Sequence, residues 1–249
     1  MKFSIIFPIK NQTDMFIKNL KEKVIPYFES CDHVFDIIVV PNGSSEEEQA
    51  KLEKELSSMP PYVKMLPFSK AGAKGAAIKR GIEASSCDYD LFMDVDLATD
   101  LKAFDVIKEN IGKYDAFIGD RDMKGAYSGK RPFIRQLGHD VSKQLVKWRF
   151  HFKEISDTQC GFKCFKDSVA KEMIKHQIID GVAFDVEYCY FLSLNKFRIK
   201  RIPVYWINDD AHSSISFAKS SKQFSSDLGK IKKNKKNYIL PKGVKESLC

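Results

Sequence analysis

The run Tyr89-Asp90-Leu91-Phe92-Met93-Asp94-Val95-Asp96 places a mainly apolar segment directly before two carboxylates. A short apolar run of this kind predicts a buried strand. Side chains alternate between the two faces of a strand, so Asp94 and Asp96 are expected to project to the same side at its end. Two neighbouring carboxylates suit Mg²⁺ or Mn²⁺ carrying a diphosphate. Since Asp-x-Asp is also common in exposed acidic loops, only the surrounding sequence can distinguish a metal site from such a loop.

Strand-like and helix-like segments alternate through the first half of the chain. The predicted strands are Phe3–Pro8, Phe35–Val40, Val63–Pro67, Asp90–Met93 and Asp115–Gly119. This order predicts an α/β fold with an open, mostly parallel sheet. Ligands of such sheets bind beyond the carboxyl ends of the strands. Because Asn11, Asn42, Gly43 and Asp94 all follow predicted strand ends, we expect them to share one site.

The second half of the chain has a different pattern. Pro132–Phe150 predicts a long basic helix, Asp157–Phe165 a short irregular segment and Phe197–Val204 a strand. From Lys219 onward the chain is rich in Ser and Lys, and we expect it to pack poorly. The predicted organisation is therefore one domain over residues 1–218 and a basic tail over residues 219–249.

Composition and charge limit the classes of function. The chain has 249 residues, of which 43% are hydrophobic, as in an ordinary globular protein. No apolar run approaches a membrane span and no leader is evident, so we expect a cytoplasmic protein. Six cysteines without a Cys-x-x-Cys pair are expected to be reduced thiols. The net charge of +8 predicts an acidic partner. Nucleic acid is not favoured, because no recognition motif accompanies the basic runs.

Eight short motifs follow one another between residues 3 and 216. They are Ile6–Asn11, Ile37–Ser44, Lys74–Gly81, Asp94–Thr99, Gly119–Arg121, Asp157–Lys163, Phe184–Glu187 and Pro203–Trp206. In this order they resemble the family 2 glycosyltransferases of GT-A fold. The chain is most similar to the branch of dolichyl- and polyprenyl-phosphate glucosyl- and mannosyltransferases. The segment Asp157–Lys163, which reads Asp-Thr-Gln-Cys-Gly-Phe-Lys, is the most specific motif for that branch.

The resemblance implies a function and a donor site. The implied reaction is metal-dependent and inverting, and it moves a hexose from a nucleotide sugar such as UDP-glucose to a polyprenyl or dolichyl phosphate. Asp94 and Asp96 would hold Mg²⁺ or Mn²⁺. The implied catalytic residues are Asp94, Asp96, Asp157 and Asp185. The implied donor-binding residues are Pro8, Asn11, Gln12, Asn42, Lys74, Gly75 and Asp94.

The acceptor site follows from the same resemblance and from phosphate chemistry. The candidate residues are Arg121, Arg131, Arg135, Gln159 and Lys163. Guanidinium groups match phosphate oxygens bidentately and stay charged. A monoalkyl phosphate is largely a dianion at neutral pH and can attack without a general base. A sugar hydroxyl would need one, and Asp157 or Asp185 would have to serve.

Three positions depart from the family pattern, and one basic run lies outside it. Pro41 and Asn42 replace two aspartates, and Gln12 replaces a glutamate. A carboxylate only accepts hydrogen bonds, whereas an amide donates and accepts. UDP is therefore favoured by resemblance, while CDP and GDP stay open. The basic run Lys230–Lys236 predicts peripheral contact with an anionic membrane, on its inner face.

Two alternatives remain open from the sequence. The first keeps the fold and the donor chemistry but uses a saccharide or another phosphorylated acceptor in cell-surface glycan synthesis. The second is a degenerate, non-catalytic protein that binds nucleotide sugars. The intact pair Asp94 and Asp96 and the segment Asp157–Lys163 favour an enzyme over the second alternative.

Overall fold

A computed structural model describes residues 1–70, 72–129, 133–207 and 217–248, with only the backbone at residues 133–139 and 217–221. The strands are β1 (Lys2–Ile9), β2 (Val34–Pro41), β3 (Val63–Met65), β4 (Tyr89–Met93), β5 (Ala116–Asp120), β6 (Tyr127–Ser128), β7 (Phe162–Lys166), β8 (Ile199–Pro203) and β9 (Tyr205–Trp206). The helices are α1 (Thr13–Asn19), α2 (Ile25–Glu29), α3 (Glu46–Leu56), α4 (Lys74–Ala84), α5 (Ala103–Asn110), α6 (Phe133–Phe150), α7 (Asp167–Lys175), α8 (Phe184–Leu194), α9 (Phe217–Lys233), α10 (Lys235–Tyr238) and α11 (Lys242–Leu248). One π-helical turn, Leu20–Val24, joins α1 to α2.

Seven strands form one sheet in the order β3-β2-β1-β4-β7-β5-β8. All neighbours are parallel except β7, which runs antiparallel to both β4 and β5. Strands β6 and β9 form a small separate pair. The predicted α/β fold with a mostly parallel central sheet is confirmed.

The sheet is buried on both faces, as its continuous apolar strands require. In β1, Ile5 and Phe7 pack into one core cluster, whereas Ile6 packs into the cluster on the opposite face. This alternation follows from the two-residue period of a strand. The sheet is consequently covered on both sides, and its strand ends are where polar side chains can converge.

Strand β7 was not predicted, because we expected residues 157–165 to be irregular. The segment Phe162–Lys166 forms a central strand instead. Its side chain at Lys163 is fully buried among core residues. A charged residue at a core position conceals the apolar pattern that identifies a buried strand.

The basic tail packs against the main core, so the expectation of poor packing is wrong. Phe224, Leu228, Ile231 and Tyr238 are all buried in one of the two core clusters. The first three are spaced by four and three residues, which places them on one face of α9. Lysines and serines between them hide this face in the sequence. The boundary at residue 218 stays a prediction.

No helix within the described ranges is both long enough and apolar enough to cross a membrane.

A buried acid in β4 predicts a pH-dependent stability. Asp90 is only 1% exposed, and burial together with the nearby charge of Asp167 raises its pKa well above the ordinary value. The folded protein therefore holds a proton at Asp90 that the unfolded chain has released, so stability falls as the pH rises towards the folded-state pKa. This loss amounts to as much as about 1.4 kcal/mol per pH unit.

Replacing Asp90 with Asn is expected to remove that loss. Urea denaturation between about pH 4 and pH 8 should show the variant gaining on the natural protein as the pH rises. The exposed Asp88 provides a matched control, since Asp88→Asn should leave the pH dependence unchanged. Parallel stability curves for the natural protein and Asp90→Asn would contradict the prediction.

Candidate active site

The carboxyl ends of β1, β2 and β4 open onto a cavity of about 410 Å³. Most of the predicted donor-binding residues contribute to its wall. They are Pro8, Gln12, Asn42, Lys74 and Asp94, and the predicted metal ligand Asp96 lies in the same wall. The parallel strands explain this convergence, because their carboxyl ends meet at one edge of the sheet.

Asp94 is in contact with two other predicted motifs. The Lys74 ammonium donates to its Oδ1 in an ion pair. Gly161, in the segment Asp157–Lys163, lies against its other oxygen, and a Cβ at that position would come within 1.9 Å of Oδ2. Only glycine leaves room for this contact. Asp94 therefore connects the wall of the cavity to the segment Asp157–Lys163.

Asp96 lies in a tight turn that follows β4. The Ala98 amide donates to its Oδ1 at 3.0 Å, and the intervening Leu97 has a φ of 51°. A left-handed conformation is unfavourable for leucine, so the turn holds Asp96 at a cost in backbone energy. Burial and the charge of Asp94 raise the pKa of Asp96. A divalent cation would offset this excess negative charge, and two carboxylates are ligands that Mg²⁺ and Mn²⁺ favour. The two residues therefore fit such an ion.

A second group of carboxylates comprises Asp120, Asp122 and Asp157, with oxygens within 4.8 Å of one another. Asp120 and Asp122 were not predicted from the sequence as site residues. Each member already has a cationic partner: Asp120 has Arg201, Asp122 has Lys143 and Asp157 has Arg121. This group could hold a metal, but all three of its carboxylates have a cationic partner, whereas Asp96 forms no ion pair among the described residues, so Asp94 and Asp96 are the better candidates.

Asp157 forms a buried ion pair with Arg121. Its two oxygens accept from Nε and Nη2 of Arg121 at 2.6 and 2.9 Å, and from the Arg121 amide at 3.2 Å. Burial alone would raise the pKa of Asp157, but the guanidinium holds it well below the ordinary range. Arg121 also lies over the ring of Trp206, 5.5 Å from its centre. The acceptor role of Arg121 stays a prediction, since the guanidinium is engaged with Asp157.

Asp185 is paired with Lys163 in the core. The Lys163 ammonium donates to Oδ1 of Asp185 and to the carbonyl of Cys160, both at 2.5 Å. Burial alone would lower the pKa of Lys163, but Asp185 raises it above the ordinary value. Burial raises the pKa of Asp185, and Lys163 opposes that shift. Lys163 has no exposed surface, so the acceptor role predicted for it stays a prediction without support from its position.

Residues 184–187 begin helix α8, so Asp185 and Glu187 point in different directions. Glu187 accepts from the amides of Ile178 and Ile179 at 2.8 and 3.0 Å, and from the Tyr238 hydroxyl at 2.6 Å. These bonds hold the residues before α8 and the residue Tyr238 of α10 in place. Of the two acids, only Asp185 lies near Lys74 and Asp94.

At the start of α4, the amide of Gly75 is bonded within the protein, and the donor-binding role implied for Gly75 stays a prediction. The amides of Gly75 and Ala76 donate to the carbonyl of Asp180 at 2.8 and 3.3 Å. A Cβ at Gly75 would lie 2.7 Å from Cβ of Phe184. Gly75 thus allows α4 to pack against the start of α8, and it is the Lys74 side chain that reaches the cavity.

Asn11 supports the site from outside the cavity wall. Its side-chain oxygen accepts from the Ser45 amide at 2.8 Å, and its own amide donates to the Ser44 hydroxyl at 3.1 Å. These bonds join the turn after β1 to the turn after β2. Its donor-binding role stays a prediction.

Gln159 is the one remaining acceptor candidate whose side chain the structure describes, and it does not line the donor cavity. Gln159 accepts from the Ser142 hydroxyl at 3.2 Å and borders a second cavity of about 220 Å³. Arg131 lies outside the described residues, and the side chain of Arg135 is likewise not described.

Asn42 brings an unused acceptor to the cavity. Its Nδ2 donates to the Ala73 carbonyl at 2.5 Å. Its Oδ1 is buried and has no hydrogen-bond partner among the described residues, and the residue is 4% exposed. A buried unpaired acceptor is unfavourable, so a ligand that donates a hydrogen bond here would stabilise it.

A protein-family model described as glycosyl transferase family 2 matches residues 4–174 of this chain. The chain belongs to glycosyl transferase family 2. The family predicted from the motifs is thereby confirmed, and the protein is a glycosyltransferase. Asp94 and Asp96, which were predicted from those motifs, lie in the wall of the cavity at the carboxyl ends of the strands.

Relatives of this family 2 member carry closely related names. A dolichyl-phosphate beta-glucosyltransferase from Dictyostelium discoideum is 31% identical, with 92% of this chain and 73% of that protein covered. A human protein of the same name is 27% identical, with 87% and 70% covered. Among solved structures, glucosyl-3-phosphoglycerate synthase from Mycobacterium tuberculosis, in complex with Mn²⁺, UDP and glucosyl-3-phosphoglycerate, has a TM-score of 0.64 at 12% identity, with 97% and 82% covered. The last similarity supports the GT-A fold alone.

Proposed function

We propose that this glycosyltransferase moves a hexose from a nucleotide sugar to a polyprenyl or dolichyl phosphate, with inversion and with Mg²⁺ or Mn²⁺. Two ion pairs carry the proposal, that of Asp157 with Arg121 and that of Asp185 with Lys163. A hydroxyl acceptor would need one of them as a general base. Asp157 is held by Arg121 with a lowered pKa, and Asp185 is buried against Lys163. A phosphate dianion needs no base, so this arrangement favours the lipid phosphate over a saccharide.

The donor cavity supports the other half of the reaction. Charge builds up on the leaving diphosphate as the bond to the sugar breaks. A divalent ion held by Asp94 and Asp96 would supply charge neutralisation there. The Lys74 ammonium lies in the same wall and offers a further cationic donor to phosphate oxygens. The relatives named dolichyl-phosphate beta-glucosyltransferase support a glucose-like hexose and a lipid phosphate for this chain.

Asn42 supports UDP as the nucleotide. One N–H of Nδ2 is bonded to Ala73, and Oδ1 is the buried atom that has no partner among the described residues, so the side chain offers an unpaired acceptor. Uracil offers its N3–H and guanine its N1–H to such an acceptor, whereas cytosine can offer only its exocyclic amino group, because its ring N3 is itself an acceptor. The amide thus does what a carboxylate would do at this position. UDP is the favoured donor nucleotide, with GDP second.

Replacing Asn42 with Leu is expected to weaken UDP binding by about 10- to 100-fold, because the bond to the base is lost. Asn42→Asp retains an acceptor oxygen and should stay close to the natural protein. Titration calorimetry with UDP, GDP and CDP measures both effects. An equal loss in the Leu and Asp variants would show that the acceptor function of Asn42 is not what binds the base.

The proposed function is tested by a transfer screen. The purified protein with Mn²⁺ or Mg²⁺ is given UDP-, GDP- and CDP-sugars, with and without a short polyprenyl phosphate, and released nucleotide is measured. The expected result is that UDP is released from a UDP-sugar and that the lipid phosphate stimulates this release. Release stimulated by a saccharide but not by the lipid phosphate would show that the acceptor is a saccharide. The absence of binding to any donor would favour a non-catalytic protein.

A further inference from the structure

Helix α6 has apolar side chains on two opposite faces. Val146 and Phe150 are buried in the core. On the other side, Val141 is 60% exposed and Trp148 is 70% exposed. Seven residues fall about 20° short of two full turns, so Val141 and Trp148 lie along one line of the helix. The buried face explains the folding of α6, but it leaves the exposed tryptophan without a structural role.

A cluster of exposed lysines adjoins the exposed face of α6. On that face the exposed Lys147 is balanced by the exposed Asp140. Lys232 of α9 donates to the Arg149 carbonyl at 2.7 Å. This bond holds the end of α9 beside the end of α6, and the exposed Lys233, Lys235 and Lys236 lie at or directly after that end of α9 in the sequence.

We propose that Val141, Lys147 and Trp148, the Trp148 face, dock this protein on an anionic lipid bilayer. The inference rests on the proposed function in one respect, since a polyprenyl phosphate is presented by a membrane. An exposed aromatic beside basic side chains is what a helix lying in the bilayer interface requires. Negative headgroups complement the exposed lysines at the end of α9 and directly after it, whereas two copies of this surface would bring those lysines together and repel each other. The basic tail, for which membrane contact was expected, would approach the bilayer together with α6.

Tryptophan fluorescence tests the contact directly, because the chain has only two tryptophans. In Trp206→Phe, Trp148 is the sole reporter. Vesicles of phosphatidylcholine with about 30% phosphatidylserine, without any acceptor lipid, are added at low salt. Emission should move to shorter wavelength and return as salt is raised, and Trp148→Phe should lack this response. Unchanged Trp148 emission at saturating vesicles would overturn the proposal.

A matched pair of variants locates the surface. Trp148→Glu should weaken vesicle binding by about tenfold. Val34→Glu makes the same change at a residue that is 61% exposed, and it lies on β2, near the other edge of the sheet from β8. Vesicle binding by the Val34→Glu variant should stay within about twofold of that of the natural protein, since β2 is remote from the Trp148 face. Equal effects of the two changes on vesicle binding would overturn the assignment. An emission shift of Trp148 without vesicles, together with a doubled mass in ultracentrifugation, would also overturn it, because it would show that this face binds a second copy of the protein.

The two proposals fail separately. Vesicle binding is measured without acceptor lipid, so it does not depend on glycosyl transfer. Transfer to a water-soluble short-chain polyprenyl phosphate does not depend on docking. Absent docking with intact transfer rejects the Trp148 face alone, and intact docking with absent transfer rejects the proposed function alone.

Discussion

Replacing Asp96 with Asn is expected to lower turnover by about a thousandfold, because a neutral amide binds a divalent cation poorly and the leaving diphosphate loses several kcal/mol of charge stabilisation. The fold should survive, since Asp96 is only partly buried and the Ala98 amide can still donate to the oxygen of Asn. Binding of Mn²⁺, followed by its electron paramagnetic resonance signal, should weaken in parallel with turnover.

Asp100→Asn is the matched control for that change. Asp100 is an exposed carboxylate four positions further on, and it accepts from the Lys102 amide at 2.9 Å. Its replacement should leave Mn²⁺ binding and turnover nearly unchanged. Full activity of the natural protein in excess EDTA would reject the metal role of Asp96.

Replacing Arg121 with Ala is expected to destabilise the protein by about 3–5 kcal/mol, because it leaves the buried Asp157 without its counter-charge. The side chains of Arg121 and Asp157 are 9% and 2% exposed. Urea denaturation measures the loss. Since the carboxylate also accepts the Gln159 amide at 3.1 Å, the segment around it should become accessible to proteolysis.

An exposed ion pair serves as the control for Arg121→Ala. Lys51 bonds Asp14 at 2.6 Å, and the two side chains are 42% and 82% exposed. Lys51→Ala should cost much less, because water can replace the lost partner. The double change Arg121→Met with Asp157→Leu should recover most of the loss, since it leaves no unpaired charge. A stable Arg121→Ala variant would show that Asp157 does not depend on this partner.

The sheet could be predicted from the sequence wherever a strand is continuously apolar. The runs Ile5–Phe7 and Ile37–Val40 contain no polar residue that obscures the pattern. Strand β7 escaped prediction because the buried Lys163 interrupts its pattern, and its stabilising partner Asp185 lies 22 residues away. The same reason applies to the tail, where lysines separate the buried residues of α9.

The candidate site could be predicted as a set of positions but not as a set of pairs. Strand ends located Asn42 and Asp94, because a parallel sheet gathers its carboxyl ends. The pairing of Arg121 with Asp157 joins residues 36 positions apart, and only the packing of the chain decides it. Asp120 and Asp122 were missed although they flank Arg121 in the sequence. Alternating acids around an arginine at a strand end could have drawn attention to them.

The reversed direction of β7 has a consequence for how the two substrates are handled. Phe162, at the amino end of β7, pairs with Met93, at the carboxyl end of β4. The chain therefore arrives at Asp94 from the segment that precedes β7, and it then leaves through the body of the sheet. With the acceptor bound by the predicted residues Arg121 and Gln159, insertions between α6 and Asp157 would change the proposed acceptor side and leave the lining of the proposed donor cavity in place. One reversed strand would thus let acceptor preference change while donor preference is retained.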